Sequence, residues 1–173
     1  GGLRRAAMVA CGMIRVAKPE DAELLPALQR ASVLAQCASV YSAVQLAEWA
    51  ASFVPDSYRI MMDTRQMLVD EVEDGGGRVL RAFGVIDARH ARINALYVAP
   101  VVAGKGVGRA LLAALEAAPG ASGVGELRLS ATLNAVGFYE AHGYERCGAT
   151  THRLASGAEL ACESMRKVLG FGR

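Results

Sequence analysis

The sequence predicts an α/β (α+β) fold, and three observations carry that expectation. Apolar runs at 66–73, 78–87 and 93–98 are separated by short reversals, which reads as an antiparallel meander. A glycine-rich stretch then leads into apolar residues at Val107, Leu111, Leu112 and Leu115, the spacing of an amphipathic helix over 106–117. A strand at 127–131, a helix at 134–141 and two closing strands at 144–154 and 159–168 complete the alternation.

The remaining elements follow in chain order. Met13-Ile14-Arg15-Val16-Ala17 alternates like a short strand, and Pro19-Glu20-Asp21 places proline and acids where a helix begins. Leu24, Leu25, Leu28 and Val33 continue that helix, with a kink expected at Pro26. Ser42 and Gln45 have the spacing of a capping box; the helix they open carries Val44, Leu46 and Trp49 and is expected to run to Phe53, with Pro55 ending it. A short helical segment at 58–62 precedes the meander. Asp74-Gly75-Gly76-Gly77 and Arg89-His90-Ala91 supply its two reversals, and the glycine-rich stretch 119–125 ends the long helix.

A length of 173 residues suits one domain, expected over 13–173; residues 1–12, with two arginines and a short apolar patch, read as a tag remnant or N-terminal extension. No apolar run approaches the roughly 18 residues that span a bilayer, which argues against a membrane protein. A formal charge of +2 is too mild to point to nucleic acid. Cys11, Cys37, Cys147 and Cys162 lie far apart with no metal-ligand spacing, so no metal is expected and free thiols fit a cytoplasmic protein.

The chemistry concentrates between residues 96 and 109. Leu96-Tyr97-Val98-Ala99-Pro100 is followed by Ala103-Gly104-Lys105-Gly106-Val107-Gly108-Arg109, a strand, a glycine loop and a helix start. Main-chain N–H groups at a helix start are unpaired and lie at the positive end of its dipole, and glycines let a phosphate approach them. A P-loop is excluded because Lys105 precedes Gly106 and no Ser or Thr follows a Gly-Lys pair at the required spacing. A dinucleotide fingerprint is a poor match, since the spacing is GxGxG after antiparallel strands.

This block resembles motif A of the GCN5-related N-acetyltransferases, usually Gln/Arg-x-x-Gly-x-Gly/Ala after a strand like Leu-Tyr-Val-x-Pro; Ala103 stands where the family has Gln or Arg. Leu127-Arg128-Leu129-Ser130-Ala131 followed by Asn134-Ala135-Val136-Gly137-Phe138-Tyr139 is similar to its motif B, and the likeness extends over roughly residues 13–168. The resemblance implies a mixed, mostly antiparallel sheet of six to seven strands, helices on both faces, and a splay between the fourth and fifth strands. It implies acetyl-CoA as cosubstrate, held by Tyr97, Val98, Ala103, Gly104, Lys105, Gly106, Val107, Gly108, Arg109, Asn134, Phe138 and Tyr139.

On the same resemblance, the reaction moves an acetyl group directly to an amine of a small molecule or peptide. The Val98 N–H polarises the thioester carbonyl and Tyr139 serves the departing sulfur. Many relatives carry an acid where this chain has Asn94, which orients a water but takes no proton; Asp87, Glu48 and His90 are more distant candidates for the base. His142 and His152 read as surface or helix-end residues. The amine is expected beside Tyr41 and Trp49, with Ser42 and Tyr58 nearby, and a homodimer is left open. A CoA-binding sensor without catalysis is the alternative, motivated by Asn94 and Ala103.

Overall fold

The computed structural model describes residues 11–118 and 123–170, so most of the 1–12 extension and part of the expected 119–125 turn lie outside the described residues. Among the described residues, seven strands form one sheet in the order β1-β2-β3-β4-β5-β7-β6. They are β1 (Met13–Val16), β2 (Gln66–Asp74), β3 (Gly77–Asp87), β4 (Arg92–Val98), β5 (Glu126–Thr132), β6 (Glu145–Arg153) and β7 (Glu159–Val168). The expected meander is β2-β3-β4, and β4 with β5 is the one parallel pair among the described strands.

Among the described residues, five α-helices cover the sheet: α1 (Leu25–Gln36), α2 (Ala43–Ala50), α3 (Pro55–Thr64), α4 (Val107–Glu116) and α5 (Val136–Ala141). Adjacent residues of β3 show that they lie on both faces, because successive side chains point to opposite sides of a strand. Phe83 stacks on Tyr97 at 5.5 Å and meets Tyr58 of α3 at 5.8 Å. Gly84 faces α4: a Cβ there would lie 2.6 Å from Leu115 Cδ1 and 3.3 Å from the Ala95 carbonyl, so the missing side chain lets the helix seat on the sheet.

Two prolines act differently from the expectation. Pro19–Glu23 is a separate 3-10 turn and α1 starts at Leu25, so Pro26 falls in the first turn, where its missing N–H costs nothing and no kink is needed. Pro55 does not merely stop the preceding helix; it opens α3, which is longer than the expected 58–62 segment. The Ser42–Gln45 capping box is formed, with Gln45 N–H donating to Ser42 Oγ at 3.1 Å and Ser42 N–H to Gln45 Oε1 at 2.9 Å. At the sheet's other end, Arg15 joins Asp21 and Glu71, and Arg81 Nε meets Asp70 at 2.6 Å with both side chains buried. Among the described residues no helix is long and apolar enough to cross a membrane.

Candidate active site

The site begins where the sheet comes apart. β4 and β5 share a single register pair, Arg92 with Arg128, held by the Arg128 N–H on the Ala91 carbonyl at 2.9 Å. Beyond it the strands diverge, while the far edge of β5 stays paired with β7 along its whole length. A gap therefore opens between Leu96–Val98 on one side and Leu129–Thr132 on the other.

Register decides which main-chain groups face that gap. Ala99 N–H bonds the Arg81 carbonyl at 2.7 Å, so in the alternating antiparallel pattern Val98 and its partner Ala82 form a non-bonded pair. The N–H and C=O of Val98 consequently point away from β3. Its carbonyl accepts a hydrogen bond from Gln36 Nε2, the last residue of α1, at 3.1 Å, which leaves the Val98 N–H as the donor presented to the gap. Asn94 sits at a bulge, since Val85 pairs with Ala95 and Ile86 with Ile93, and its side chain is exposed.

On one face of the gap lies a cleft of about 380 Å³. Ala103, Gly104, Gly106, Gly108 and Arg109 line one wall; Asn134, Phe138, Tyr139 and His142 line the other. Gly104 and Gly106 take left-handed φ of 73° and 86°, conformations that favour glycine, and Gly106 caps α4. The first intrahelical bond runs from Ala110 N–H to Gly106 O, so the N–H groups of Val107, Gly108 and Arg109 have no carbonyl one turn back. Gly108 is also a close approach: a Cβ would come 3.3 Å from Val98 Cγ2 and 3.6 Å from the Phe138 ring.

Several expected contacts are distributed differently. The N–H groups of Ala103 and Lys105 are already bonded to Pro100 and Val102 carbonyls, so these two main-chain donors are not offered to a phosphate. Lys105 and Val107 line a neighbouring hollow beside Asp70 and Arg81 instead of the cleft. Asn134 Oδ1 accepts from Cys37 Sγ at 3.3 Å, and among the described residues its Nδ2 has no bonded partner. Tyr139 is buried, its ring 5.2 Å from Phe138 and 5.5 Å from Tyr144, and among the described residues its hydroxyl takes no hydrogen bond. Burial raises its pKa above the ordinary phenol value and keeps it protonated.

On the other face is a second cavity of about 450 Å³, lined by Trp49, Tyr58, Arg92, Asn94, Tyr97, Ser130 and His152 among others. A small space between β4 and β5 touches residues of both: Asn94, Tyr97 and Ser130 from the cavity, Leu96 and Tyr139 from the cleft. The cavity and the cleft are thus separated at the splay only by this small space and the residues that wall it.

Trp49 lines this cavity, and Tyr97 does too, its ring 6.2 Å from Trp49, on the side away from the glycine loop. Tyr41 does not. It is buried, its hydroxyl donating to the Ala161 carbonyl at 2.7 Å and accepting from Leu133 N–H at 3.2 Å, so it ties the chain between β5 and α5 to β7. The distant base candidates do not line this cavity either: Asp87 and His90 bond each other at 2.8 Å, and Glu48 accepts from Ser156 Oγ at 2.9 Å.

His152 is exposed, as expected, and it also lines this cavity: its ring lies 5.9 Å from Trp49, and partial desolvation lowers its pKa below that of free imidazole. Nothing local in the sequence marks it, because the β6–β7 hairpin alone carries it to α2. Arg92, Ser130 and Gln36 were missed for a similar reason. Their roles depend on strands and helices that meet only in three dimensions. Among the described residues, no three His, Cys, Asp or Glu side chains gather as a metal site.

Comparison with known proteins agrees with this geometry. The family profile described as an acetyltransferase (GNAT) domain matches residues 37–156. A GCN5-related N-acetyltransferase structure from Rhodopseudomonas palustris superposes with a TM-score of 0.81 at 30% identity, covering 92% of this chain and 97% of that one. PaiA N-acetyltransferase from Thermoplasma acidophilum, solved in complex with coenzyme A, gives 0.69 at 20% identity over 92% of this chain and all (100%) of the other. YncA from Salmonella typhimurium, a putative acetyltransferase solved with its cofactor acetyl-CoA, gives 0.58 at 20% identity, covering 95% and 97%. No curated protein sequence matches the chain significantly.

Proposed function

Because the chain belongs to the GNAT acetyltransferase family, we propose that it transfers an acetyl group from acetyl-CoA directly to the amine of a small molecule or peptide. The observation that carries the reading is the splayed sheet: a cleft beside helix-start N–H groups lies on one face of the β4–β5 gap and an aromatic cavity on the other, with residues of both walling the small space between the strands. One face takes the nucleotide and the other the amine.

The residues present fit such a cosubstrate. The N–H groups of Gly108 and Arg109 receive the diphosphate at the positive end of α4, in a loop whose two left-handed glycines keep side chains away. Asn134 Nδ2 and the Val98 N–H are donors for the pantetheine arm and the thioester carbonyl, the latter acting as a one-donor oxyanion site. Acetyl-CoA supplies the activated acetyl thioester. Tyr139 presents a protonated hydroxyl at the edge of the gap, where the sulfur departs. As the amine nitrogen bonds to the carbonyl carbon, the carbon–sulfur bond breaks, the amine loses a proton and the thiolate gains a donor.

His152 takes the amine proton, directly or through water held by Asn94. The titratable groups that share its cavity are Tyr58, Arg92, Tyr97, Arg153 and Cys162; no carboxylate among the lining residues offsets desolvation. A lowered pKa leaves the imidazole neutral and able to accept at physiological pH. The sign follows: activity is full above that pKa and lost as pH falls through it, so the acid limb of kcat/KM lies below the ordinary imidazole value of 6.5. His152→Gln is expected to remove that limb and lower kcat about 100-fold. A limb unchanged in the variant gives the base role to another group.

The transfer reading is tested by incubating the protein with acetyl-CoA and a panel of amines while following free thiol. Thermal stabilisation by acetyl-CoA with amine-dependent thiol release supports it. Stabilisation with no turnover of any amine identifies a sensor instead, and no stabilisation at millimolar acetyl-CoA removes both.

A further inference from the structure

The amine cavity has a one-sided charge. Its lining includes Arg92 and Arg153 and contains no aspartate or glutamate. Arg92 is half-buried on β4, and its Nη2 donates to Ser130 Oγ across the foot of the splay. Among the described residues it meets no carboxylate. Asp87, its cross-strand neighbour, is engaged with His90 and Arg65, and Arg128, its register partner on β5, is paired with Glu126 at 2.8 Å.

A guanidinium offers five N–H donors in a fork that matches a planar anion, and one bond to a serine leaves most of them unused. A partly desolvated cation without a counter-ion is costly, so a ligand that enters this cavity is favoured when it brings the missing negative charge. The same cavity is aromatic, with Trp49, Phe53 and Tyr97 on its walls, and its ≈450 Å³ is a volume suited to a small molecule.

Resting on the acetyl-transfer reading of this site, we propose that the acceptor is a small primary amine that also carries an anionic group, a carboxylate or a phosphate, which pairs with Arg92 and with Arg153. Its apolar body lies against Trp49, Phe53 and Tyr97. A polyamine, with further cations to place, is disfavoured by the same two arginines.

The test compares kcat/KM for phenylalanine, its phosphonate analogue, phenylalaninamide, 2-phenylethylamine and spermidine, read as acetyl-CoA-dependent thiol release. At least one of the two anionic amines is expected to exceed the amide, the neutral-tailed amine and spermidine by about 30-fold or more, and the stronger of the two identifies the anion. Arg92→Gln is expected to erase that preference by raising KM for the anionic amine while leaving KM for acetyl-CoA unchanged, and Arg92→Lys to restore part of it. Rates for the amide or spermidine equal to the best anionic amine overturn the proposal, as does turnover of no amine in the panel. In either case stabilisation by acetyl-CoA keeps the nucleotide reading intact; its absence removes that reading separately.

Discussion

Gly108→Glu is expected to abolish acetyl-CoA binding while leaving the protein folded. Position 108 is the second residue of α4, where the N–H groups proposed to receive the diphosphate have no partner within the helix. A carboxylate there occupies the anion site and repels the ligand, while it complements the helix dipole and replaces glycine with a better helix former, effects worth about 0.3–1 kcal/mol each that offset the close approach of its Cβ to Val98 Cγ2 at 3.3 Å. Ligand affinity is therefore lost with little change in the fold. At 100 times its dissociation constant a ligand stabilises by about 2.7 kcal/mol, a shift of roughly 5–10 °C in Tm for a domain of this size, and the variant is expected to show none of it. Gly108→Ala is the control. Its Cβ meets Val98 at 3.3 Å and Phe138 at 3.6 Å, contacts that need a displacement of a few tenths of an ångström, so affinity is reduced and not lost. Full stabilisation of the glutamate variant by acetyl-CoA places the diphosphate elsewhere.

The contrast between the two faces of the splay explains what was legible in the sequence. The nucleotide side is local. A strand, two left-handed glycines and a helix start occupy residues 96–109 without interruption, and the physics of helix termini applies to such a stretch before any tertiary contact is known. The meander and the closing strands were legible for the same reason, their period and turns being properties of neighbouring residues. Pro26 and Pro55 were misread because a proline's effect depends on where the helix begins, and the separate 3-10 turn at Pro19–Glu23 moved that origin. The amine side is not local at all. Trp49, Tyr58, Arg92, Ser130 and His152 come from α2, α3, β4, β5 and β6, and each taken alone has an ordinary structural explanation. Tyr41 shows the converse error: a distinctive aromatic close in sequence to Trp49 was drawn into the core by two hydrogen bonds that only the folded chain makes.

Tyr139→Phe is expected to lower kcat by about 100-fold or more with little change in acetyl-CoA affinity. The phenyl ring keeps the packing against Phe138 and Tyr144, and the lost hydroxyl has no hydrogen-bonded partner among the described residues to leave unsatisfied. What remains is its contribution to the departing sulfur. Burial raises the phenol above its ordinary value of 10, whereas a thiol titrates near 8.5, so complete proton transfer to the thiolate is uphill and the hydroxyl acts mainly as a hydrogen-bond donor to developing charge. The sign for pH follows. A donor must stay protonated, and a raised pKa moves any basic limb it causes above 10, so the alkaline side of the profile is flat to that point in the native enzyme. Because the hydroxyl serves charge on sulfur, its loss matters less when the leaving thiolate is intrinsically stable. Acetyl donors with thiols of lower pKa should narrow the gap between native and variant rates, read as a steeper dependence of kcat on leaving-group pKa in Tyr139→Phe. Parallel dependences in the two proteins assign Tyr139 to packing alone.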